Sequence, residues 1–163
     1  MPTTHNLAFT APINPPGTST VLTPTQIWKG LLLKCRSAET FVPAAIQSTT
    51  VLSDTIDHVT GNPVIIREVL FRESQKLVKE VVTAFEPCRV EFEQPDGSRI
   101  SNVVSEGAEG ELYLTYIFEW RHPELDAEGE ESVAVLKRQK GMSRLAVEGT
   151  IQVLRRLVEE GKI

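Results

Sequence analysis

Two acidic side chains, Glu68 and Glu80, lie in neighbouring β-rich segments, where together they could perform acid–base chemistry. If these segments form a hairpin centred near Glu73 and Ser74, Glu68 faces Glu80 across the strand pair. Two carboxylates this close cannot both ionise cheaply, so one of them would hold a proton near neutral pH. A protonated carboxyl beside a carboxylate suits enolisation, dehydration or aldol-type ring closure.

The two faces of this hairpin leave a second interpretation open. Residues 64–71 carry apolar side chains on both faces of the predicted strand, so the pattern does not mark the inner one. The acids would then face solvent and pair with Arg67 or Arg89. Arg67 is otherwise a candidate clamp for a carboxylate or phosphate group of a ligand. A shift of register by one residue would also separate the two acids.

The segment from residue 112 to 122 alternates as a strand with one aromatic face does. That face carries Leu114, Tyr116, Phe118, Trp120 and His122. Tyrosine and tryptophan combine an apolar body with a polar group, which suits a flat ligand that carries a few oxygen atoms. We predict that the apolar members contact the ligand and that Tyr116 takes part in acid–base chemistry. Packing in a core is the alternative.

Two further polar residues are candidates for the same site. Asn102 lies between Ile100 and Val104 on a mainly apolar face, where a buried amide needs partners. It either orients a ligand carbonyl group or bonds to backbone at a strand edge. His122 precedes Pro123 at the end of the aromatic strand. It is either a general base at the mouth of a cavity or part of a structural loop.

Composition and motifs exclude several classes of function. The chain of 163 residues has a formal net charge of −5, which argues against binding nucleic acid by neutralising its phosphates. No stretch approaches the roughly 18 apolar residues of a membrane span. No nucleotide-binding glycine motif, serine-nucleophile motif or zinc-type spacing of His and Cys occurs. We therefore expect no metal, no cofactor, and neither nucleic acid nor membrane as partner.

The two cysteines, Cys35 and Cys88, are far apart and fit no redox or metal-binding spacing. We expect two buried or half-buried reduced thiols; a disulfide or a catalytic Cys88 is the alternative. Together with an N-terminus that does not read as a secretory signal, this predicts a cytoplasmic protein. The sequence leaves the formation of a homo-oligomer open.

The order of elements predicts a single α+β domain over residues 1–163. A first strand precedes two short helices, the first capped by Thr23 and carrying Ile27, Leu31 and Lys34 on one face. About six antiparallel strands follow, and a long amphipathic helix covers residues 130–160. The sheet, of about seven strands, should curve around that helix. One helix cannot fill a concave sheet, so we expect a cavity between them.

Eight segments spread over nearly the whole chain carry a family resemblance: LAFTAPINPPG (7–17), LTPTQIWKGL (22–31), FVPAA (41–45), IREVLF (66–71), FEPCRVEF (85–92), ISNVVSEG (100–107), LYLTYIFEWRHP (112–123) and VEGTIQVLRRLVEEGKI (147–163). They resemble a fungal and bacterial branch of the START-like (SRPBCC) superfamily. The resemblance implies the helix-grip fold of pollen-allergen and polyketide-cyclase proteins. It implies no single activity, because the superfamily includes carriers, lipid-transfer domains, cyclases, hydrolases and co-chaperone domains.

Two functions follow as expectations. The first is binding of a small hydrophobic or aromatic molecule, polyketide-, lipid- or sterol-like, in an internal cavity. The second is a cofactor-free cyclase, dehydratase or isomerase that acts on such a molecule, placed in secondary metabolism. In the enzyme, Glu68, Glu80, Tyr116 and His122 are the acid–base residues. The side chains that position the ligand are Arg67, Asn102, Leu114, Phe118 and Trp120.

Overall fold

The computed structural model describes residues 2–163 and contains a seven-stranded antiparallel sheet and three helices. Along the chain the elements are β1 (Pro2–Pro12), α1 (Pro24–Arg36), α2 (Ala38–Phe41), β2 (Ile46–Ile56), β3 (Pro63–Phe71), β4 (Leu77–Phe85), β5 (Arg89–Glu93), β6 (Arg99–Glu106), β7 (Leu112–Asp126) and α3 (Glu130–Glu159). The strands are ordered β1-β7-β6-β5-β4-β3-β2. The predicted fold class is confirmed: the sheet curves around α3, and two short helices follow β1.

Helix α1 begins where the sequence predicts, at a capping box. The side chain of Thr23 accepts a hydrogen bond from the backbone N–H of Gln26 (3.2 Å), and the Gln26 side chain accepts one from the backbone N–H of Thr23 (3.0 Å). Gly30 then lets the helix approach α3 closely, since a Cβ atom at this position would collide with the side chain of Leu154. Helix α1 is therefore held against α3 at a fixed distance.

The hairpin of β3 and β4 differs by one residue from the prediction. Arg67 lies opposite Glu80, and Glu68 lies opposite Lys79. Residues 72–75 form a four-residue loop, closed by a hydrogen bond from the backbone N–H of Phe71 to the carbonyl of Lys76 (3.0 Å). Because the loop has an even number of residues, its centre lies between Glu73 and Ser74, and Arg67 and Glu80 are equally far from that centre. The predicted pairing of Glu68 with Glu80 is therefore wrong, because a slip of one residue moves a side chain to the other face.

Strand β7 continues past the predicted end at residue 122. It runs to Asp126 and pairs with the start of β1. The pairing is irregular between Pro2 and Thr3, opposite the part of β7 that contains Pro123. A proline, which donates no backbone hydrogen bond, is tolerated at such an irregularity. His122 therefore lies within the strand and not at its end.

The core lies between the concave face of the sheet and helices α1 and α3. The buried face of α3 contributes Val147, Ile151 and Leu154, which pack in one cluster with Ile27 and Leu31 of α1. The predicted amphipathic helix is therefore confirmed. None of the helices within residues 2–163 has both the length and the apolarity that crossing a membrane requires.

Candidate functional site

A space of about 120 Å³, here called the inner pocket, lies between the concave sheet, the α1–α2 region and α3. Its aromatic walls are Phe71, Phe92, Tyr116, Phe118 and Trp120. Met142 and Ala146 of α3 border it from the helix side. The aromatic face predicted for β7 thus points inward. Leu114, on the same face, lies fully buried among other core residues and does not line the pocket.

One wall of the pocket is polar and carries Lys34, Arg67, Glu80 and Gln94. These four residues and the fully buried Asn102, which does not line the pocket, are here called the inner polar cluster. Arg67 Nε and Nη2 donate to Glu80 Oε2 at 2.9 and 2.7 Å. The other carboxylate oxygen, Oε1, accepts from Gln94 Nε2 at 3.1 Å. Arg67 and Glu80 are each only 2% exposed. An arginine does pair with one of the acids, but the pair faces inward rather than toward solvent.

Arg67 also holds the end of helix α1. Its Nη1 donates to the backbone carbonyl oxygens of Lys34 (2.9 Å) and Cys35 (3.0 Å). Carbonyls in the last turn of a helix lack partners within it, and that end carries partial negative charge, so a cation there is favourable. Four of the five N–H groups of Arg67 are thereby occupied. Arg67, the predicted ligand clamp, thus mainly connects β3, β4 and α1, and one of its N–H groups has no partner among these contacts.

Lys34 is the member of the cluster that sequence reasoning did not select. Its side chain enters the pocket from α1, and Nζ donates to Asn102 Oδ1 at 2.7 Å. Nζ also lies 4.7 Å from the ring centre of Phe92 and 4.8 Å from that of Tyr116. Burial, strengthened by the positive charge of Arg67, lowers the pKa of Lys34 to about 7. The signal was present in the sequence, since Lys34 shares a helix face with Ile27 and Leu31.

Asn102 is fully buried, as a residue between apolar neighbours on one strand face should be. Its Oδ1 atom accepts the hydrogen bond from Lys34, whereas Nδ2 lacks a partner among the residues that the structure describes. The amide bonds to a lysine and not to backbone at a strand edge, and Asn102 does not line the inner pocket. An unpaired buried donor costs about 1–3 kcal/mol.

The hydroxyl group of Tyr116 forms a hydrogen bond with Thr150 Oγ1 of α3 at 2.7 Å. Complete burial raises the pKa of this phenol above its usual range. The hydroxyl therefore stays protonated in neutral solution. In this structure Tyr116 joins β7 to α3 and presents its ring, rather than an ionisable group, to the pocket.

An open depression of about 560 Å³, here called the outer groove, lies beside the inner pocket. Ala45 and Phe71 border both spaces, so the groove and the pocket are adjacent there. His122 lies in the groove and does not line the inner pocket. His122, the predicted general base, is thus apart from the other candidates, in a neighbouring depression.

His122 belongs to a chain of hydrogen bonds, here called the histidine cluster: Ser132, His5, Gln139, His122 and Glu124. The Gln139 side chain contacts both histidines, through Oε1 to His5 Nδ1 (2.6 Å) and through Nε2 to His122 Nε2 (2.9 Å). An amide nitrogen can only donate, so His122 Nε2 accepts and its Nδ1 carries the proton given to Glu124 (3.0 Å). The cluster fastens the start of α3 to β1 and β7.

Comparison with known families decides the membership of the chain. Residues 7–161 match the family model described as AtaL, acetylaranotin biosynthesis cluster protein L. The chain belongs to the AtaL family. Among curated protein sequences, none matches this AtaL-family chain.

Solved structures show which fold this AtaL-family chain shares. The crystal structure of Ara h 8.0201 is 14% identical with a TM-score of 0.53, over 92% of this chain and 99% of that one. The di-domain ARO/CYC StfQ from the steffimycin biosynthetic pathway is 9% identical with a TM-score of 0.64, over 97% of this chain and 51% of that one. The chain thus spans about half of StfQ. Identities this low establish the fold alone, and the fold is the helix-grip fold that the sequence predicts.

Several predicted residues lie outside the site of this AtaL-family chain. Glu68 is half-buried on the face of β3 turned away from Arg67 and Ile65, and it does not line the inner pocket. Both cysteines are free; Cys35 is buried, but Cys88 is exposed, contrary to the expectation of two covered thiols. Burial raises the pKa of Cys35. Within residues 2–163 no group of three or more His, Cys, Asp or Glu side chains is arranged to hold a metal ion.

Proposed function

We propose that this chain binds a small hydrophobic or aromatic molecule in the inner pocket and serves the biosynthesis of a secondary metabolite. The observation that carries the proposal is a pocket with aromatic walls and a single charged side, formed by Lys34, Arg67 and Glu80. Ligand sites usually have this composition, because apolar walls supply affinity and a few polar groups fix orientation. The family description, a biosynthesis-cluster protein, supports the metabolic setting.

The size of the pocket restricts the ligand. A cavity of roughly 150 Å³ holds one benzene molecule in a well-studied engineered case, and the inner pocket measures about 120 Å³. It therefore takes one ring or a short chain, and any remainder of the molecule extends past Phe71 and Ala45 into the outer groove. A complete sterol or multi-ring polyketide would not fit inside unless side chains moved.

The proposal is tested by filling the pocket from the helix side. Ala146 is buried and borders the pocket, whereas Ala134 is exposed on the same helix. We expect native mass spectrometry and ligand-observed NMR to detect binding of acetophenone, a single-ring probe, to the wild type and to the Ala134→Leu control. Binding should be lost in Ala146→Leu. If Ala146→Leu binds the probe as well as the wild type does, the ligand site is elsewhere.

A cofactor-free cyclase, dehydratase or isomerase acting on such a ligand is the second candidate. The observation that favours it is the presence of ionisable groups, Lys34 and Glu80, at an apolar pocket, since buried titratable groups often serve acid–base chemistry. Incubation with ring-forming precursors, followed by mass spectrometry and NMR of the products, tests it. Turnover should disappear in Lys34→Met and persist in Glu68→Gln, because Glu68 does not reach the pocket.

A further inference from the structure

Lys34 occupies a position unusual for a lysine. The side chain is 6% exposed and Nζ is enclosed by two aromatic rings and one amide oxygen, so the amine cannot extend to solvent as lysines normally do. The six other lysines of the chain lie at positions 29, 76, 79, 137, 140 and 162. Only Lys29 shares helix α1 with Lys34, and all six of these lysines are exposed.

Within residues 2–163 Lys34 Nζ forms no ion pair, although the negative charge of Glu80 acts on it. The nearest acid of the cluster, Glu80, is bonded through Oε2 to Arg67 and through Oε1 to Gln94. The other titratable groups that act on Lys34 are Arg67 on β3 and Cys35 next to it on α1, while the Tyr116 hydroxyl on β7 is bonded to Thr150. A buried amine beside a guanidinium is favoured in its neutral form, in which the nitrogen keeps its lone pair. Accordingly its pKa is lowered to about 7.

These two conditions, a desolvated pocket and a neighbouring cation, are those that activate a lysine as a nucleophile toward carbonyl compounds. The hydrogen bond to Asn102 Oδ1 adds a third feature, because it fixes the direction of Nζ at the pocket wall. Arg67 holds the backbone of the same residue through the Lys34 carbonyl oxygen. Both ends of Lys34 are thus fixed before a ligand arrives.

We infer that the ligand of the inner pocket is an aldehyde or ketone and that Lys34 Nζ captures it as an imine. In the first step the nitrogen lone pair forms a bond to the carbonyl carbon, and the carbonyl oxygen takes up the proton that the nitrogen loses. The hydroxyl group of this carbinolamine then leaves with the second nitrogen proton as water, and the C=N bond forms. The products are the imine and one water molecule, with no oxidant or reductant consumed. This inference rests on the proposed function, since the ligand must first enter the pocket.

The test uses the wild-type protein with benzaldehyde, which carries one ring, and sodium cyanoborohydride, which reduces an imine to a stable secondary amine. Each captured molecule adds the mass of benzaldehyde minus one oxygen atom, and peptide mapping identifies the lysine. At neutral pH about half of a lysine with a pKa near 7 is neutral, against less than about 0.1% of an ordinary one. We expect Lys34 to react at least about tenfold faster than any other lysine, with a rate that rises as the pH passes through about 7.

Matched variants separate the amine from the pocket. Lys34→Met keeps the length of the side chain and removes the nitrogen, and Lys29→Met removes an exposed lysine from the same helix. The fast labelling should vanish in the first variant and persist in the second. Circular dichroism, and binding of anisole, a single-ring probe without a carbonyl group, report whether Lys34→Met remains folded with an open pocket.

The outcomes distinguish the two proposals. Labelling that is uniform over the lysines, or absent at Lys34, while acetophenone still binds overturns the imine and leaves the binding function intact. Absence of both labelling and binding overturns both proposals. Binding of benzoate in place of benzaldehyde, without capture, assigns Lys34 to an ion pair with an acidic ligand and also overturns the imine.

Discussion

The inner polar cluster and the histidine cluster are two hydrogen-bonded networks of similar size that differ in their exposure to water. Arg67 and Glu80 have side chains that are 3% exposed each. The pair at the edge of the histidine cluster, His122 and Glu124, has side chains that are 18% and 64% exposed. Both networks connect a helix to the sheet, one at the end of α1 and the other at the start of α3.

This difference in exposure determines how strongly charged groups interact in each cluster. A charge in the inner cluster interacts through a medium of low dielectric constant, so losing a partner there is costly and a pKa can move far. At the edge of the histidine cluster that His122 and Glu124 form, water replaces a lost partner at little cost. The inner cluster should therefore control both stability and reactivity, whereas the histidine cluster should mainly shape the entrance.

The largest effect is expected from breaking the buried ion pair. Glu80→Gln leaves Arg67 without its counter-ion inside the protein and should lower the free energy of unfolding by about 3–5 kcal/mol. Glu68→Gln is the matched control, because Glu68 is next to Arg67 in β3 but lies on the opposite face of the sheet. This substitution should change the free energy of unfolding by less than about 0.5 kcal/mol. Urea unfolding measures both. Equal effects would mean that the inner pair is no more buried in solution than Glu68 is.

A smaller and pH-dependent effect is expected from Lys34. Its pKa of about 7 in the folded chain lies below the value of 10.5 for an unperturbed lysine, so between these values the unfolded chain binds more protons. The wild type should therefore gain stability with rising pH in this window, by up to about 1.4 kcal/mol per pH unit.

This contribution should be absent from Lys34→Met and present in the exposed control Lys29→Met. Relative to Lys34→Met, the wild type should thus gain stability between about pH 7 and pH 9 in urea unfolding. A difference that stays constant over this range would show that Lys34 is solvated as an ordinary lysine is.

The smallest effect is expected from the histidine cluster. His122→Asn removes hydrogen bonds that water can replace, so the free energy of unfolding should fall by about 1 kcal/mol or less. Binding of the single-ring probe should stay unchanged, because His122 lies in the outer groove and not in the inner pocket. Native mass spectrometry with acetophenone checks this. Loss of binding would contradict the division between pocket and groove.

The parts of the fold that depend on local sequence were predictable. The capping box of Thr23 and Gln26 fixes the start of α1 through atoms three residues apart. The alternation in β7 placed Tyr116, Phe118 and Trp120 on the inner face, because successive side chains of a strand point to opposite sides. Such signals require no knowledge of what lies across the sheet.

The site was less predictable because it depends on contacts between distant segments. The partner of Glu80 depended on the register of one hairpin, and apolar residues on both faces of β3 left that register undetermined. Lys34 was visible on an apolar helix face, but a lysine there normally extends its amine into water. Only the approach of Asn102, which is 68 residues away in sequence, shows that the amine turns inward.

The attachment of Arg67 to the end of α1 has a consequence for how this site can diversify. The amine of Lys34 is held by α1, β3 and β6, whereas the size of the space in front of it is set by Met142 and Ala146 on α3. Substitutions on α3 would change which ligands fit the pocket without moving the amine of Lys34. Relatives that keep this lysine but differ in α3 would then form the same imine with carbonyl compounds of different size and shape.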